Sequence, residues 1–107
     1  MTIEKLEKNV IKWANRHDLY HLSSDMTRMD KLFEEIEEFE EEIFPSDGTS
    51  NIEMIAMEAG DVLVTLINIL HPLGLNLSTC LAAAYNKINQ RTGRMVDGMF
   101  IKDEDEE

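Results

Sequence analysis

The strongest constraint on the fold is a long apolar segment that ends at Pro72. From Ser50 to His71 apolar residues cover nearly all sides of a helical projection: Ile52, Met54, Ile55, Met57, Val62, Leu63, Val64, Leu66, Ile67, Ile69 and Leu70. Ser50 followed by Glu53 has the form of a capping box and predicts the helix start, while Pro72 and Gly74 predict its end. Because a helix that is apolar on most sides is buried by its neighbours, we expect it at the centre of the fold.

Two helices are predicted before this central one. Apolar residues recur with helical spacing from about residue 3 to residue 17 among Glu and Lys side chains. After an irregular stretch over residues 19–23, Ser24 or Asp25 can cap a second helix that stops before Pro45. The apolar residues of this second helix fall on one narrow stripe, which predicts a single buried side.

A fourth helix and a short extended segment are predicted after the break at Pro72. The helix runs from about Leu77 to Arg91 and is ended by Gly93. Asp97-Gly98 is a turn signal between short extended pieces. Residues 103–107 are all acidic, and we expect this tail to be disordered.

The fold class that this pattern predicts is all-α. A chain of 107 residues forms one hydrophobic core, and aromatic residues make up only 7% of it, which favours packed helices over aromatic-rich strands. We predict one domain over residues 1–102, an antiparallel four-helix bundle. Since the central helix has more apolar sides than three small neighbours can cover, a second copy of the chain is expected to cover the rest.

The charge balance limits the partners of the chain. Ten Lys and Arg residues stand against 22 Asp and Glu residues, a net charge of −12, and such a surface repels the phosphate backbone of nucleic acids. The N-terminal segment carries charges every few residues, so it predicts neither a signal peptide nor a membrane span. A lone Cys80 cannot form an internal disulfide. We therefore expect a cytoplasmic protein that binds neither nucleic acid nor membrane.

Carboxylates of the central helix are the first indication of a functional site. The polar residues of this helix are Glu58, Asp61, Thr65 and Asn68. Their spacing of three, four and three places them on one stripe. A carboxylate in a helix built for burial costs on the order of several kcal/mol unless it is paired or metal-bound. Gly60 and the apolar run after Asp61 predict tight packing, so we expect the Asp61 carboxylate in a poorly solvated cleft.

The second predicted helix carries a matching acidic side. Four of its residues share one side, beside the apolar stripe: Lys31, Glu35, Glu38 and Glu42. Antiparallel packing would bring Glu35 and Glu38 opposite the acidic pair of the central helix. Converging carboxylates repel each other unless a cation joins them, and oxygen ligands favour Mg²⁺, Mn²⁺ or Ca²⁺ over zinc. The other interpretation is that both stripes simply face solvent.

These motifs resemble those of a known family. The segment 31–38, KLFEEIEE, followed by Glu58-Ala59-Gly60-Asp61, resembles the paired ExxE and ExxD metal-binding signature of the MazG-like all-alpha NTP pyrophosphatases. Trp13-Ala14 and the ending from Arg91 to Lys102 extend the resemblance over nearly the whole chain. It implies a Mg²⁺-dependent homo-oligomer, a dimer or a tetramer, with Mn²⁺ as an alternative ion. Its reaction would be hydrolysis of a nucleoside triphosphate to the monophosphate and pyrophosphate.

The resemblance also implies roles for particular residues. The metal ligands would be Glu35, Glu38, Glu58 and Asp61, with Glu34 in an outer acidic position. Glu35 or Glu38 would also act as general base on the attacking water. The basic residues that would bind the substrate phosphates are Lys31, Lys87, Arg91 and Arg94. Lys87 and Arg91 match the Lys-x-x-x-Arg segment of the family, one turn apart on the predicted fourth helix, whereas Arg28 stands where many members have a glutamine.

Two other functions stay open from the sequence. One is a non-catalytic module that binds a divalent cation or a nucleotide in the same acidic cleft. The other is an acidic helical protein that binds a basic partner by mimicking nucleic acid. Mimicry needs acids spread over the outer surface, whereas catalysis needs the two acidic pairs to converge. The sequence does not specify the base or the sugar of a nucleotide substrate.

Overall fold

The computed structural model describes residues 1–103 of the chain, which are mostly helical. The helices are α1 (Ile3–Arg16), α2 (Leu19–Leu22), α3 (Asp25–Ile43), α4 (Ile52–Leu70) and α5 (Leu77–Ile88), and the strands are β1 (Gly93–Val96) and β2 (Met99–Lys102). A 3₁₀ turn, His71–Leu73, follows α4. The helical content agrees with the predicted all-α class, and the two strands form one small antiparallel pair.

The starts of the two longest helices are fixed by side-chain caps. The Ser24 hydroxyl accepts the backbone N–H of Thr27 at 3.1 Å, and the Thr27 hydroxyl accepts the backbone N–H of Ser24 at 2.9 Å. This reciprocal capping box confirms Ser24 as the cap of α3. At α4 the predicted cap, Ser50, is wrong by one residue. The Asn51 side chain caps the helix instead, because its oxygen accepts backbone N–H groups of the first turn.

The connection between α1 and α3 contains a short helix that the sequence did not predict. Asp18 has φ of 56°, a left-handed conformation that ends α1 and turns the chain. The chain then forms the single helical turn α2 over Leu19–Leu22, where an irregular stretch was expected. A four-residue turn is too short to leave a periodic apolar pattern, so sequence periodicity could not reveal it.

The described chain divides into two compact units, and the first covers residues 1–77. In it α3 packs on α4, while α1 packs on both α2 and α4. Early in α3, Arg28 lines a cavity with Asn68, whereas further along, Glu35 lies beside Glu58. Residues therefore meet in opposite order along the two helices, which confirms their predicted antiparallel packing. A four-helix bundle in one domain stays a prediction, because most of α5 belongs to the second unit.

The buried core of the first unit mixes apolar and polar side chains. Within residues 1–103 the buried apolar residues are Ala14 on α1 and Ile67 on α4. On either side of Ile67, α4 also buries Thr65 and Asn68. The polar stripe of the central helix therefore faces inward at this end. The interpretation that the stripe is exposed to solvent is wrong there.

Part of the apolar surface of α4 stays uncovered in the single chain. Large side chains on this helix are exposed by 41–78%: Ile52, Met54, Met57 and Leu63. The sequence predicted more apolar surface on this helix than its neighbours can cover, and the structure shows such surface. None of the helices within residues 1–103 is long and apolar enough to span a bilayer.

The second unit starts at Ser78 and contains most of α5 and the strand pair. The two-residue loop Asp97-Gly98 joins the strands, with φ of 51° and 81°. Positive φ at both positions is what a type I′ hairpin turn requires, so the predicted turn is confirmed. The backbone N–H of Asp103 donates to the Thr92 carbonyl at 2.9 Å. The rest of the predicted acidic tail, 104–107, lies outside the described residues.

Candidate metal centre and adjoining cavity

Acidic side chains of α3 and α4 meet at one place on the helix pair. Two groups of three carboxylates each have oxygens within 4.8 Å of one another. The outer group lies on α3 alone and consists of Glu34, Glu35 and Glu38. The inner group joins the two helices and consists of Glu35, Glu58 and Asp61. Because Glu35 belongs to both groups, it links all four residues that the sequence predicted as metal ligands.

The four carboxylates differ in exposure. Glu35 is buried, with 7% of its surface exposed, and Glu58 is half-buried, whereas Glu38 and Asp61 are exposed. The expectation of a poorly solvated Asp61 is therefore wrong. The space beside Gly60 is open, because apart from its chain neighbours and the backbone of its own helix no atom lies within 4 Å of where a Cβ would be. The tight packing of α4 begins one turn later, around Thr65 and Ile67.

Two carboxylate oxygens in this cluster are buried without a hydrogen-bond partner among the described residues. They are Oε2 of Glu35 and Oε2 of Glu58, on facing helices. Lys31 compensates part of the charge, because its Nζ lies 2.7 Å from Glu34 Oε2 and 3.2 Å from Glu35 Oε1. Buried polar atoms in folded proteins are nearly always satisfied, so these two oxygens are positions that a hydrogen-bond donor or a cation would satisfy.

Neighbouring carboxylates of the cluster raise the pKa values of Glu38 and Glu58. The pKa of Glu38 is raised, because its protonated carboxyl shares a hydrogen bond with Glu35 and because the charge of Glu35 opposes ionisation. Burial raises the pKa of Glu58, and the charges of Asp61 and Glu35 add to the effect. The pKa of Lys31 is also raised, by its hydrogen bonds to Glu34 and Glu35. The cluster therefore attracts positive charge, whether protons or a cation.

A cavity of about 250 Å³ adjoins the acidic cluster within the first unit. It is lined by Leu19, Ser23, Thr27, Arg28, Lys31, Thr65 and Asn68. We call it the polar cavity. Since Lys31 lines the cavity and also contacts the acids, the two features share a border. The Tyr20 hydroxyl donates to Asn68 Oδ1 at 2.7 Å, across 48 residues of sequence.

Sequence reasoning identified parts of the polar cavity without assembling it. Thr65 and Asn68 were placed on the polar stripe of the central helix, and Arg28 was noted as a departure from the family pattern. Tyr20 and Ser23 were missed, because they lie in and beside the unpredicted helix α2. The signal that was available is the polar stripe itself, which continues beyond the two acids of α4.

Basic residues of the second unit line a separate cavity. Lys87 lies in the last turn of α5, and Arg91 follows the helix, because α5 ends at Ile88. The prediction that these two residues lie one helical turn apart is therefore wrong. Both still line one cavity of about 410 Å³, together with Gln90 and Thr92. Arg94 lies on β1, opposite Ile101 in the strand register.

A family model described as the MazG nucleotide pyrophosphohydrolase domain matches residues 23–96. This chain belongs to the MazG family. The match confirms the resemblance that the acidic motifs predicted. No curated protein and no solved structure gives a significant match.

The MazG match covers the residues from which both acidic groups are built. It begins just before the Ser24 cap and includes all of α3, α4, α5 and β1. The polar cavity falls within the match except for Leu19, on α2. In this MazG domain the acids of α3 and α4 converge between two packed helices, whereas a nucleic-acid mimic would need them spread outward.

Proposed function

We propose that this MazG protein is a Mg²⁺-dependent nucleoside triphosphate pyrophosphohydrolase. The observation that supports the proposal most is the pair of buried, unpartnered oxygens, Oε2 of Glu35 and Oε2 of Glu58. A divalent cation between α3 and α4 would offset the charges of both carboxylates, whereas a proton shared by them would offset only one. Carboxylate oxygens are the ligands that Mg²⁺ and Mn²⁺ prefer, so the donor set fits either ion.

The cluster offers two positions for a cation. The inner group would hold an ion between α3 and α4, and the outer group would hold one on α3, with Glu35 contributing to both. Mg²⁺, when bound, would offset the charge of phosphate oxygens and lower the pKa of the attacking water. Glu34, which the sequence placed in an outer position, would then take part in the outer group.

The proposed reaction is hydrolysis at the α-phosphate. The water oxygen bonds to the α-phosphorus as the bond from that phosphorus to the oxygen bridging to the β-phosphate breaks, and pyrophosphate leaves. Of the two residues predicted as general base, Glu38 is exposed to solvent, and we propose that it accepts the proton of the attacking water. Glu35 is buried and shared by both groups, so its proposed role is to hold the cation and to orient the attacking water.

Basic residues of each unit are proposed to bind phosphate. Lys31 lies at the border between the acids and the polar cavity, where its ammonium can contact a phosphate oxygen. Lys87, Arg91 and Arg94, which lie in the second unit, are also proposed to bind phosphate oxygens. The cavity that Lys87 and Arg91 share supports a joint role for these two residues.

A homo-oligomer is part of the proposal. The exposed apolar side chains of α4 are the kind of surface that a second copy of the chain would cover, in a dimer or a dimer of dimers. Sedimentation velocity at micromolar concentration is expected to show a species of at least two chains. A folded, strictly monomeric protein would contradict this part of the proposal.

The test of the reaction is pyrophosphate release from a panel of nucleoside triphosphates. The wild type is expected to release pyrophosphate with Mg²⁺ or Mn²⁺ and to stop when the ion is chelated. Glu58→Gln keeps the shape but removes one charged ligand, so it should lose at least about 100-fold in turnover. Glu40→Gln, on an exposed position of α3, is the matched control and should keep its activity. Mg²⁺-dependent stabilisation without pyrophosphate release would favour the non-catalytic binding module instead.

A further inference from the structure

We infer that the polar cavity binds the nucleobase of the substrate and favours uracil and guanine, which carry an oxo group where cytosine and adenine carry an amino group. The inference rests on the proposed function, because it concerns which nucleotides that reaction accepts. It is carried by the position of the cavity, its size and the hydrogen-bond groups on its wall.

The position of the cavity fits a base whose phosphates lie at the acids. Along α3, Arg28 lines the cavity, Lys31 borders both features, and Glu35 lies in the cluster. Seven residues of helix from Arg28 to Glu35 span about 10 Å, which is the length scale of a nucleoside monophosphate. At about 250 Å³ the cavity is smaller than sites for drug-sized ligands, so it suits a base rather than a whole triphosphate.

The hydroxyl groups on the cavity wall have their hydrogens engaged. Each donates to a backbone carbonyl oxygen: Thr65 to Val62 at 2.7 Å, Ser23 to Leu19 at 2.6 Å, and Thr27 to Ser24 at 3.2 Å. A hydroxyl has a single hydrogen to donate. These three residues therefore shape the wall without supplying donors to a ligand.

The amide of Asn68 is held in one orientation by Tyr20. Asn68 is only 6% exposed, and its Oδ1 accepts the Tyr20 hydroxyl. Burial raises the pKa of the Tyr20 phenol, so this group stays protonated and donates. The group of Asn68 that remains for a ligand is its NH₂.

Arg28 supplies the second set of donors. Its side chain is 10% exposed and is fixed by two hydrogen bonds of 2.7 Å, from Nη1 to the Ser23 hydroxyl and from Nη2 to the Asp25 carboxylate. A guanidinium has five N–H donors and no acceptor, so three donors remain. The cavity thus presents N–H groups from both Asn68 and Arg28.

A donor-lined cavity discriminates between carbonyl and amino bases. A carbonyl oxygen accepts hydrogen bonds from these N–H groups. An exocyclic amine in the same place sets donor against donor and leaves buried groups without partners, which a site built for hydrogen bonding rejects strongly. Uracil carries an oxo group at the ring carbon where cytosine carries an amine, and guanine and adenine differ in the same way at one carbon, so the inference requires that this edge of the base faces Asn68 and Arg28.

The experiment compares kcat/KM for two pairs of substrates with the same sugar, UTP against CTP and GTP against ATP, with Mg²⁺. UTP and GTP are expected to be favoured over CTP and ATP, respectively, by about tenfold or more. Tyr20→Phe frees the Asn68 amide to rotate, so both ratios should fall towards one while hydrolysis persists. Asn68→Asp replaces the NH₂ by an acceptor and should shift the ratios towards CTP and ATP.

The matched control is Tyr85→Phe. It removes the hydrogen bond from the Tyr85 hydroxyl to Asn89 Oδ1, 3.4 Å, on the exposed helix α5, and should leave both ratios unchanged. Circular dichroism of each variant checks folding. Calorimetric binding of UMP and CMP with Mg²⁺ gives a second readout that needs no turnover.

The outcomes separate the two proposals. Hydrolysis of all four nucleotides with ratios near one, or ratios that Tyr20→Phe leaves unchanged, would overturn the base selection and leave the reaction standing. Absence of hydrolysis for every nucleotide would overturn the proposed function. In that case, equal binding of UMP and CMP would overturn the base selection as well, and tighter binding of UMP would support it.

Discussion

The polar cavity and the acidic cluster lie at two ends of the α3 and α4 pair, and their buried polar groups differ in whether they have hydrogen-bond partners. At the polar cavity, the Asn68 carbonyl oxygen accepts the Tyr20 hydroxyl, and Arg28 is held by Ser23 and Asp25. At the acidic cluster, Glu35 and Glu58 each leave a buried oxygen without a hydrogen-bond partner among the described residues. Along the same two helices, the buried side-chain oxygen of Asn68 therefore has a hydrogen-bond partner at one end, whereas buried oxygens of Glu35 and Glu58 have none within residues 1–103 at the other.

This difference separates groups that stabilise the fold from groups that oppose it. Satisfied buried hydrogen bonds favour the folded state, and their loss leaves a partner unpaired. Converging carboxylates oppose folding until a cation joins them, and any ion that binds the folded state then adds stability by mass action. We expect substitutions at the two ends to have opposite effects on the stability of the metal-free protein.

The largest expected effect is on turnover at the acidic end. Asp61→Asn keeps the side-chain shape but removes one charge from the inner group, so activity should fall by at least about 100-fold. Because Asp61 is exposed and adds to the repulsion at Glu58, the metal-free variant should keep or gain stability. Pyrophosphate release and thermal melting with and without Mg²⁺ measure both effects. Full activity together with the wild-type melting shift would place the metal site elsewhere.

The next effect concerns stability at the polar cavity. Asn68→Ala removes the acceptor of the Tyr20 hydroxyl and leaves a buried space, so it should lower the free energy of unfolding by about 1–3 kcal/mol. Urea unfolding without metal measures this loss. Asn9→Ala, on an exposed position of α1, is the control and should change stability by less than about 0.5 kcal/mol. If Asn68→Ala proves neutral, the two ends do not differ as described.

A smaller effect on stability is expected at the N-terminus of α4, the helix that contributes residues to both the acidic cluster and the polar cavity. Asn51→Ala removes the cap of this helix and should cost about 1 kcal/mol of stability. Ser50→Ala should cost much less, because Ser50 is not the cap. Neither substitution touches the carboxylates, so the dependence of melting on Mg²⁺ should persist in both. Equal losses for the two variants would argue against Asn51 as the cap.

The smallest effect is a pH dependence confined to the acidic end. The pKa values of Glu38 and Glu58 are raised in the folded protein above the ordinary value of 4.5. Their contribution to stability is therefore present below that pH and is lost as the pH rises through the raised values. The melting temperature of the metal-free protein should decline from about pH 4.5 upward.

Mg²⁺ should offset that decline, because it binds the ionised carboxylates. Thermal melting across this range, with Mg²⁺ and with a chelator, measures the difference. Glu58→Gln should flatten the metal-free profile, while Glu40→Gln should not. A wild-type profile that rises with pH in the absence of metal would contradict the raised pKa values.

The helix positions and the acidic motif could be predicted from the sequence because they depend on the spacing of neighbouring residues. The apolar run and its breakers located α4 to within one residue at its start, and the spacing of Glu58 and Asp61 placed both on one side of that helix. Periodicity did not predict α2, which has a single turn, and it placed the end of α5 too late, since Arg91 lies beyond the helix. The family assignment followed from the same local motifs.

Which groups are buried, and with what partners, was decided by tertiary structure. Asp61 was expected in a poorly solvated cleft from its apolar neighbours, yet it is exposed, because burial depends on what packs against that side of α4. The hydrogen bond from Tyr20 to Asn68 joins residues 48 positions apart, which no local pattern encodes. The sequence by itself determined the helices, the charge and the acidic signature, since these rest on neighbours along the chain. Only the packing of α3 on α4 decided that Glu35 is shared by two acidic groups and that the polar cavity lies beside them, because both need atoms brought together from distant parts of the chain.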